Sequence, residues 1–458
     1  MEKFFELKKH GTDVRTELIA GLTTFMAMAY ILAVNPNILS ASGMDAGAVF
    51  TATALASAVA TVLMALFSNL PFALSAGMGL NAYFAYTVVL GMGATWQFAL
   101  AAVFVEGLIF ILLSLTNVRE AIFNSIPTSL KTGVSAGIGL FIIIIALING
   151  KLVVDNPSTL VGLISFHQEL VNGTFQTVGI QAVLCTIGIL FTGYLIHKNV
   201  KGSILFGIIV TWVLGIFCEL TGIYIPNPEM GAFSVVPTGI IAPPADMSST
   251  FMAFTDGFKE ISAKGVSSFI VVIISFLFVD IFDTLGTLIG CAKSGKMLDD
   301  EGKLPGIKGA LLADAIGTTF GAMCGTSTVT TFVESASGIE EGGRTGLTAI
   351  TTAALFILAL FFWPIFGAIP SFATAPALVM VGYLMFKHVR DIPWDEPTEA
   401  IPAFLAVMAM PFFYSISEGI AFGIISYVVL NLAAGKAKKI SPLLMIIAFL
   451  FILKYILI

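Results

Sequence analysis

The chain has 458 residues, of which 57% are hydrophobic and only 11% charged, with a formal net charge of −6. Soluble globular proteins carry roughly 25% charged residues, so this chain lacks the polar surface to cover a water-soluble body of its size. Apolar runs of about 20 residues recur from end to end, long enough to cross roughly 30 Å of hydrocarbon; being continuously apolar rather than alternating, they exclude a β-barrel and leave helices.

The N-terminus, MEKFFELKKHGTDVRTE, is charged and has no small-residue cleavage site behind a short apolar core. It reads as an uncleaved cytoplasmic lead-in. Spans are predicted at 17–34, 47–68, 71–89, 96–115, 130–149, 177–196 and 202–221. A long polar interval at 222–265 follows, then spans at 266–290, 306–322, 324–337, 344–363, 375–388, 400–413 and 417–434. A last apolar stretch, 441–458, either crosses or lies on the bundle. With a cytoplasmic N-terminus, alternation puts 18 of the 22 Lys and Arg residues inside, leaving Lys151, Lys259 and Lys264 outside and Lys454 in the tail. That is the asymmetry of the positive-inside rule. The expected fold is thus an all-α polytopic membrane protein of 14 segments. Seven on each side of the polar interval is an odd number per half, which forces opposite topology, the condition for the expected inverted repeat.

Spans 3 and 10 do not read as ordinary helices. Span 3 runs LPFALSAGMGLNAYFAY, with Ser75, Ala76, Gly77 and Gly79 where its neighbours carry Leu, Ile and Phe. Asn81 sits where the helix resumes. Span 10 runs CGTSTVTTFVESASG; its β-branched run Thr328–Thr331 favours extended backbone. Phe332, Val333 and Glu334 follow. Paired, interrupted spans at matching positions point to a midplane binding site, and an acid at that depth is a functional residue by default.

Span 8 carries Asp280, Asp283, Thr284 and Thr287 at i, i+3, i+4 and i+7, one helical stripe that must face the bundle interior. Asp314 on span 9 either braces its neighbours or touches substrate. On span 1, Thr24 is a candidate contact near Tyr30. Glu106 on span 4 is another buried acid, without a specific role. The four cysteines and four histidines form no metal or disulfide pattern; the cysteines read as packing residues. No cofactor and no nucleic-acid partner are expected.

The expected cavity therefore offers carboxylates, an amide, hydroxyls, open backbone and an aromatic face, without buried Lys or Arg. A planar neutral heterocycle rich in N–H donors suits it, since carboxylates accept paired N–H bonds and Phe332 offers a stacking face.

Six ordered motifs carry a family resemblance: HGTDVRTELIAGLTTF, NPNILSASGMD, AGMGLNAYFAY, FDTLGTLIG, GTSTVTTFVESASG and GGRTGLTA. The chain resembles the azaguanine-permease-like branch of the nucleobase–cation symporters, the hypoxanthine/guanine and adenine permeases. That resemblance implies a fold similar to the uracil transporter. Residues 1–434 would form one transporter unit, with spans 1–4 and 8–11 (about 17–115 and 266–363) as core and spans 5–7 and 12–14 (about 130–221 and 375–434) as gate. It implies Asp280 and Glu334 as the substrate-binding carboxylates, Asn81 and Gly79 on the span 3 side, Phe332 in the stacking position and Thr284 flanking the site with Asp283; Val333 and Thr24 are further expected contacts read from the residues. Asp283, Asp314 and Thr331 become coupling or supporting residues. It further implies proton-coupled purine uptake across the cytoplasmic membrane and a homodimer. The uracil-transporter branch has a His where Thr284 aligns, a departure that affects the proton scheme. Among purines, a carboxylate at 280 leans towards hypoxanthine and guanine, which both present N1–H, guanine adding its amino group, with adenine as the alternative. The competing class is an inorganic-ion transporter or channel, against which stands the lack of clustered hard-oxygen ligands. No nucleophile–base pairing or phosphate loop suggests an enzyme.

Overall fold

Helices begin where short polar residues stand ahead of apolar runs. Asp13 accepts the amide of Thr16 at 2.8 Å to start α1 (Val14–Met28), which turns at Ala29–Tyr30 into α2 (Ile31–Ser40). Asp45 does the same for α3 (Ala46–Ser68), taking Ala48 N–H at 2.7 Å. Each side-chain oxygen satisfies one donor that a helix start leaves free. The computed structural model describes residues 2–116, 126–156, 158–200, 202–227, 230, 232–299 and 304–457. Arg119, Lys201 and Lys303 lie outside the described residues, as do the side chains of Lys3, Lys264, Lys293 and Lys454.

Span 3 is a strand, β1 (Leu74–Ala76), followed by α4 (Met78–Ala82), which continues as a π-helix to Gly91. Then come α5 (Trp96–Leu115), α6 (Thr128–Asn149), a hairpin of β2 (Val153–Asn156) and β3 (Leu160–Leu163), α7 (Ile180–His197) and α8 (Ser203–Leu220). The polar interval holds a helix, α9 (Phe254–Lys264). It is amphipathic: Phe254 stacks on Phe104 with centroids 4.0 Å apart, while Lys259 pairs with Asp256 on the exposed side at 2.7 Å. The second half runs α10 (Val266–Ser294), α11 (Ile307–Cys324), β4 (Val329–Thr331), a short helix Ser335–Glu340, α12 (Gly346–Ala359), α13 (Ser371–Phe386), α14 (Pro397–Phe412), α15 (Ile416–Ala433) and α16 (Pro442–Leu457). Among the described residues, ten helices are long and apolar enough to cross a membrane. The chain is a helical polytopic membrane protein.

β1 and β4 pair antiparallel, Ser75 opposite Thr330, wholly buried. A two-stranded sheet leaves two outer edges, and unpaired backbone is costly away from water. Threonines close both. Thr61 of α3 takes Leu74 N–H at 2.9 Å and donates to Leu74 C=O at 3.2 Å. Thr318 of α11 takes Val329 N–H at 3.1 Å and donates to Val329 C=O at 2.9 Å. Gly325 ends α11 at φ +101°, a left-handed conformation that turns the chain into the strand.

The first and sixth motifs meet at the start of α12. Buried Glu17 accepts N–H from Arg344 (2.9 Å), Thr345 (3.3 Å) and Thr348 (3.1 Å), and the Thr348 hydroxyl at 2.6 Å. Asn69 takes Gly346 N–H at 2.9 Å. Removing one such acceptor leaves buried donors unmet. Glu17→Gln, whose amide nitrogen faces those donors, is expected to cost about 2–3 kcal/mol. A lower melting temperature of the detergent-solubilised protein checks this; an unchanged one removes the cap from the stability argument.

Candidate functional site

Where the two strands end, the backbone and α10 enclose a cavity of about 600 Å³. Its floor is the β1–α4 turn at Gly77–Gly79 and the β4 exit at Thr330–Glu334, with α6 and α13 forming the facing wall. Gly77 cannot carry a side chain here: a Cβ would stand 2.6 Å from Thr330 Cγ2 and 3.3 Å from Asp283 Oδ2.

Glu334 lines the cavity half-buried, and the buried Tyr30 hydroxyl donates to its Oε1 at 2.6 Å. Tyr30 lies at the joint between α1 and α2, so span 1 fixes the carboxylate of span 10. Val333 is 52% exposed and faces the cavity; Phe332 also lines it, its N–H bonded to Ala73 C=O at 2.9 Å. Gly79 and Thr331 are on the wall, and Thr331 Oγ1 has no hydrogen-bond partner among the described residues.

The expected stripe on span 8 is divided. Asp283 lines the cavity with Gly286, Thr287 and Gly290. Asp280 and Thr284 do not. They lie about 60° and 100° further round the helix, fully buried. There the Thr284 hydroxyl stands 2.6 Å from Asp280 Oδ1, 2.9 Å from Asp314 Oδ1 and 2.7 Å from Thr330 Oγ1. The structure thus brings Glu334, Asp283, Phe332, Val333, Gly79 and Thr331 to one cavity and gathers Asp280, Thr284 and Asp314 behind it.

Asn81 and Thr24 lie off the wall. Asn81 Oδ1 accepts the Ser327 hydroxyl, and its Nδ2 reaches Ala76 C=O at 3.4 Å. Thr24 is buried against Gly338, and its Oγ1 has no partner among the described residues. Most hydroxyls of the Thr326–Thr330 run are likewise committed: Thr326 to Asn35 at 2.9 Å, Thr328 to Glu106 at 2.7 Å, Thr330 to Thr284. These bonds hold the extended segment in place.

Sequence reasoning missed Tyr30 as a partner of Glu334, the glycines on α10, and the mouth. Gly286 and Gly290 have open space where a Cβ would point, and their four-residue spacing beyond Asp283 was the available signal. Lys131, Lys387, His388 and Asp391 surround the opening; they are distant in sequence and had no common pattern.

The arrangement can hold a flat ligand by two carboxylates beside rigid backbone, and the chain's relatives agree with a transport role. A profile described as the permease family matches residues 15–422. The guanine/hypoxanthine permease PbuG of Bacillus subtilis is 43% identical, covering all of this chain and 99% of that protein. The adenine permease AdeP of Escherichia coli is 40% identical over 99% of this chain and 95% of its own. In fold, the transmembrane domain of a cyanobacterial bicarbonate transporter, BicA, superposes with a TM-score of 0.64 at 15% identity, covering 88% of this chain and 97% of that one. The profile match over most of the length, with these relatives, places the chain in the permease family of nucleobase carriers, as a transporter and not an enzyme.

Proposed function

We propose that the protein takes up purine nucleobases, hypoxanthine and guanine in preference, by proton symport across the cell membrane. The observation that carries the reading is the pair Asp283 and Glu334 reaching one cavity at the strand crossing, in a chain similar to guanine/hypoxanthine and adenine permeases. Carboxylates accept side-by-side N–H donors in short, charge-assisted bonds. Guanine presents N1–H and an amino group on one edge, and hypoxanthine presents N1–H. Adenine sets an amino donor beside a ring acceptor, a poorer match to two ionised acids. The relative AdeP keeps adenine as the second reading.

The Thr284 cluster supports proton coupling. A hydroxyl has one hydrogen and two acceptor sites. Thr284 can make separate two-centre bonds to Asp280, Asp314 and Thr330 when one of the two carboxyls donates a proton of its own. The cluster touches the cavity through Thr330, so a proton there and a base in the cavity share one wall. We assign the 14-segment inverted repeat on a related ground. Thr61 and Thr318 make the same pair of bonds to β1 and β4 from the segment preceding each strand. With that count, the Lys and Arg asymmetry favours a cytoplasmic N-terminus.

The test is uptake of labelled hypoxanthine in cells lacking purine uptake, with all nucleobases as competitors at two external pH values. Guanine and hypoxanthine are expected to compete best, with faster uptake at the lower pH. Uptake driven by sodium and indifferent to purines would replace this reading with ion transport. Adenine as strongest competitor would select the second reading.

A further inference from the structure

The cavity is polar in two opposite senses. Its inner end holds Asp283 and Glu334; its mouth holds Lys131, Lys387 and His388. The separation follows from helix geometry. Ile138 of α6 lies against Gly79 at the inner end, and Lys131 stands two turns nearer the start of the same helix, about 10 Å along its axis. On the same wall, Gly382 of α13 crosses α6 at Gly139, and Lys387 follows just beyond the end of α13 on the side of Lys131. Asp391, the acid at the mouth, is paired with Arg390 at 3.6 Å.

A volume near 600 Å³ lies in the range of cavities that take drug-sized ligands, about 300–1,000 Å³, and a bare purine leaves much of it empty. A purine whose N1 edge meets the acids points N9, at the opposite end of the ring system, towards the mouth. A ribose 5′-phosphate on N9 extends from the carboxylates to the lysines. Phosphate is recognised by Lys as a compact point charge.

We propose that the mouth is a phosphate subsite and that purine nucleoside 5′-monophosphates occupy this cavity as non-transported inhibitors, base on the acids and phosphate on Lys131, Lys387 and His388. The proposal rests on the purine reading above and adds regulation of the same cavity by purine nucleotides. A ligand held at both ends ties α10, with its acid, to α6 and α13 with their lysines, which opposes any movement of one against the other.

The test is equilibrium binding of labelled guanine to the purified full-length protein in detergent, with GMP, IMP, guanosine and inorganic phosphate as competitors. GMP and IMP are expected to displace guanine at concentrations at least about tenfold below guanosine, a gap of about 1.4 kcal/mol. Raising salt from about 50 to 300 mM should shrink that gap, since the mouth is exposed. Lys131→Gln combined with Lys387→Gln should bring GMP to the level of guanosine while guanine affinity stays within about twofold; Lys387→Gln alone should give part of the loss. Inorganic phosphate should weaken GMP without displacing guanine. GMP no stronger than guanosine, or an advantage that survives the double substitution, overturns the phosphate subsite and leaves purine transport standing. Absence of guanine binding in the unsubstituted protein defeats the purine reading and this proposal together.

Discussion

Glu334→Gln is expected to abolish uptake of labelled hypoxanthine at tracer concentrations while expression and monodispersity stay normal. Gln keeps an oxygen that can accept the Tyr30 hydroxyl now 2.6 Å from the carboxylate, so the local fold retains its anchor. What goes is the charge, and with it an acceptor strong enough to compete with water for a base's N–H. Bonds to a charged group are worth about 1.5–3 kcal/mol, so binding should fall by roughly one to two orders of magnitude. The replacement amide also turns a donor towards the ligand's donors. Tyr30→Phe supplies the control: it leaves the charge and removes its anchor, so affinity should fall by a few-fold only. Equilibrium binding on purified protein separates the two. Equal losses in both would mean that Tyr30 itself meets the ligand, and normal uptake by Glu334→Gln would remove span 10 from the site.

Much of the fold was legible because membrane helices announce themselves one at a time. Each of α3, α5 and α6 coincides with an apolar run flanked by polar residues. The interruptions in spans 3 and 10 were legible too, since Gly77, Gly79 and the Thr328–Thr331 run are poor helix interiors. What composition could not supply was the pairing. β1 and β4 are joined by backbone bonds, which carry no side-chain signature, across more than 250 residues of chain. The phase of α10 was hidden for a different reason. An amphipathic helix shows its buried face by contrast with a wet one, but both sides of α10 at Asp280–Thr284 are enclosed, one by the cavity and one by α11 and β4. Polar residues therefore occur on both, and the i, i+3, i+4 spacing merges two different surroundings into one stripe. Asn81 misleads similarly. Its type and place suit a ligand, yet its amide oxygen is taken by Ser327, a partner 246 residues away. Buried polar groups in such a bundle are mostly claimed by the need to satisfy backbone and hydroxyls, and only the remainder is free for substrate.

That division makes a second substitution pair decisive. Asp283→Asn is expected to weaken guanine and hypoxanthine binding at least about tenfold and to raise the relative affinity for adenine, because an amide offers a donor to adenine's ring nitrogen and an acceptor to its amino group. Asp280→Asn should behave differently. Its side chain lies outside the cavity wall and meets Thr284, so equilibrium affinity for a base should stay within about threefold. Uptake should nevertheless collapse, and the remainder should lose its pH dependence, because an amide can fill the bonding pattern around Thr284 permanently where a carboxyl needs a removable proton. Binding and transport measured on the same two variants therefore give opposite patterns: Asp283→Asn fails in both, Asp280→Asn in transport alone. If Asp280→Asn instead loses affinity and alters base preference while Asp283→Asn binds normally, the helix presents its other side to the substrate. The carboxylate facing the base would then be the one the sequence motif alone points to, and the cluster at Thr284 would be part of the binding site rather than the seat of the proton.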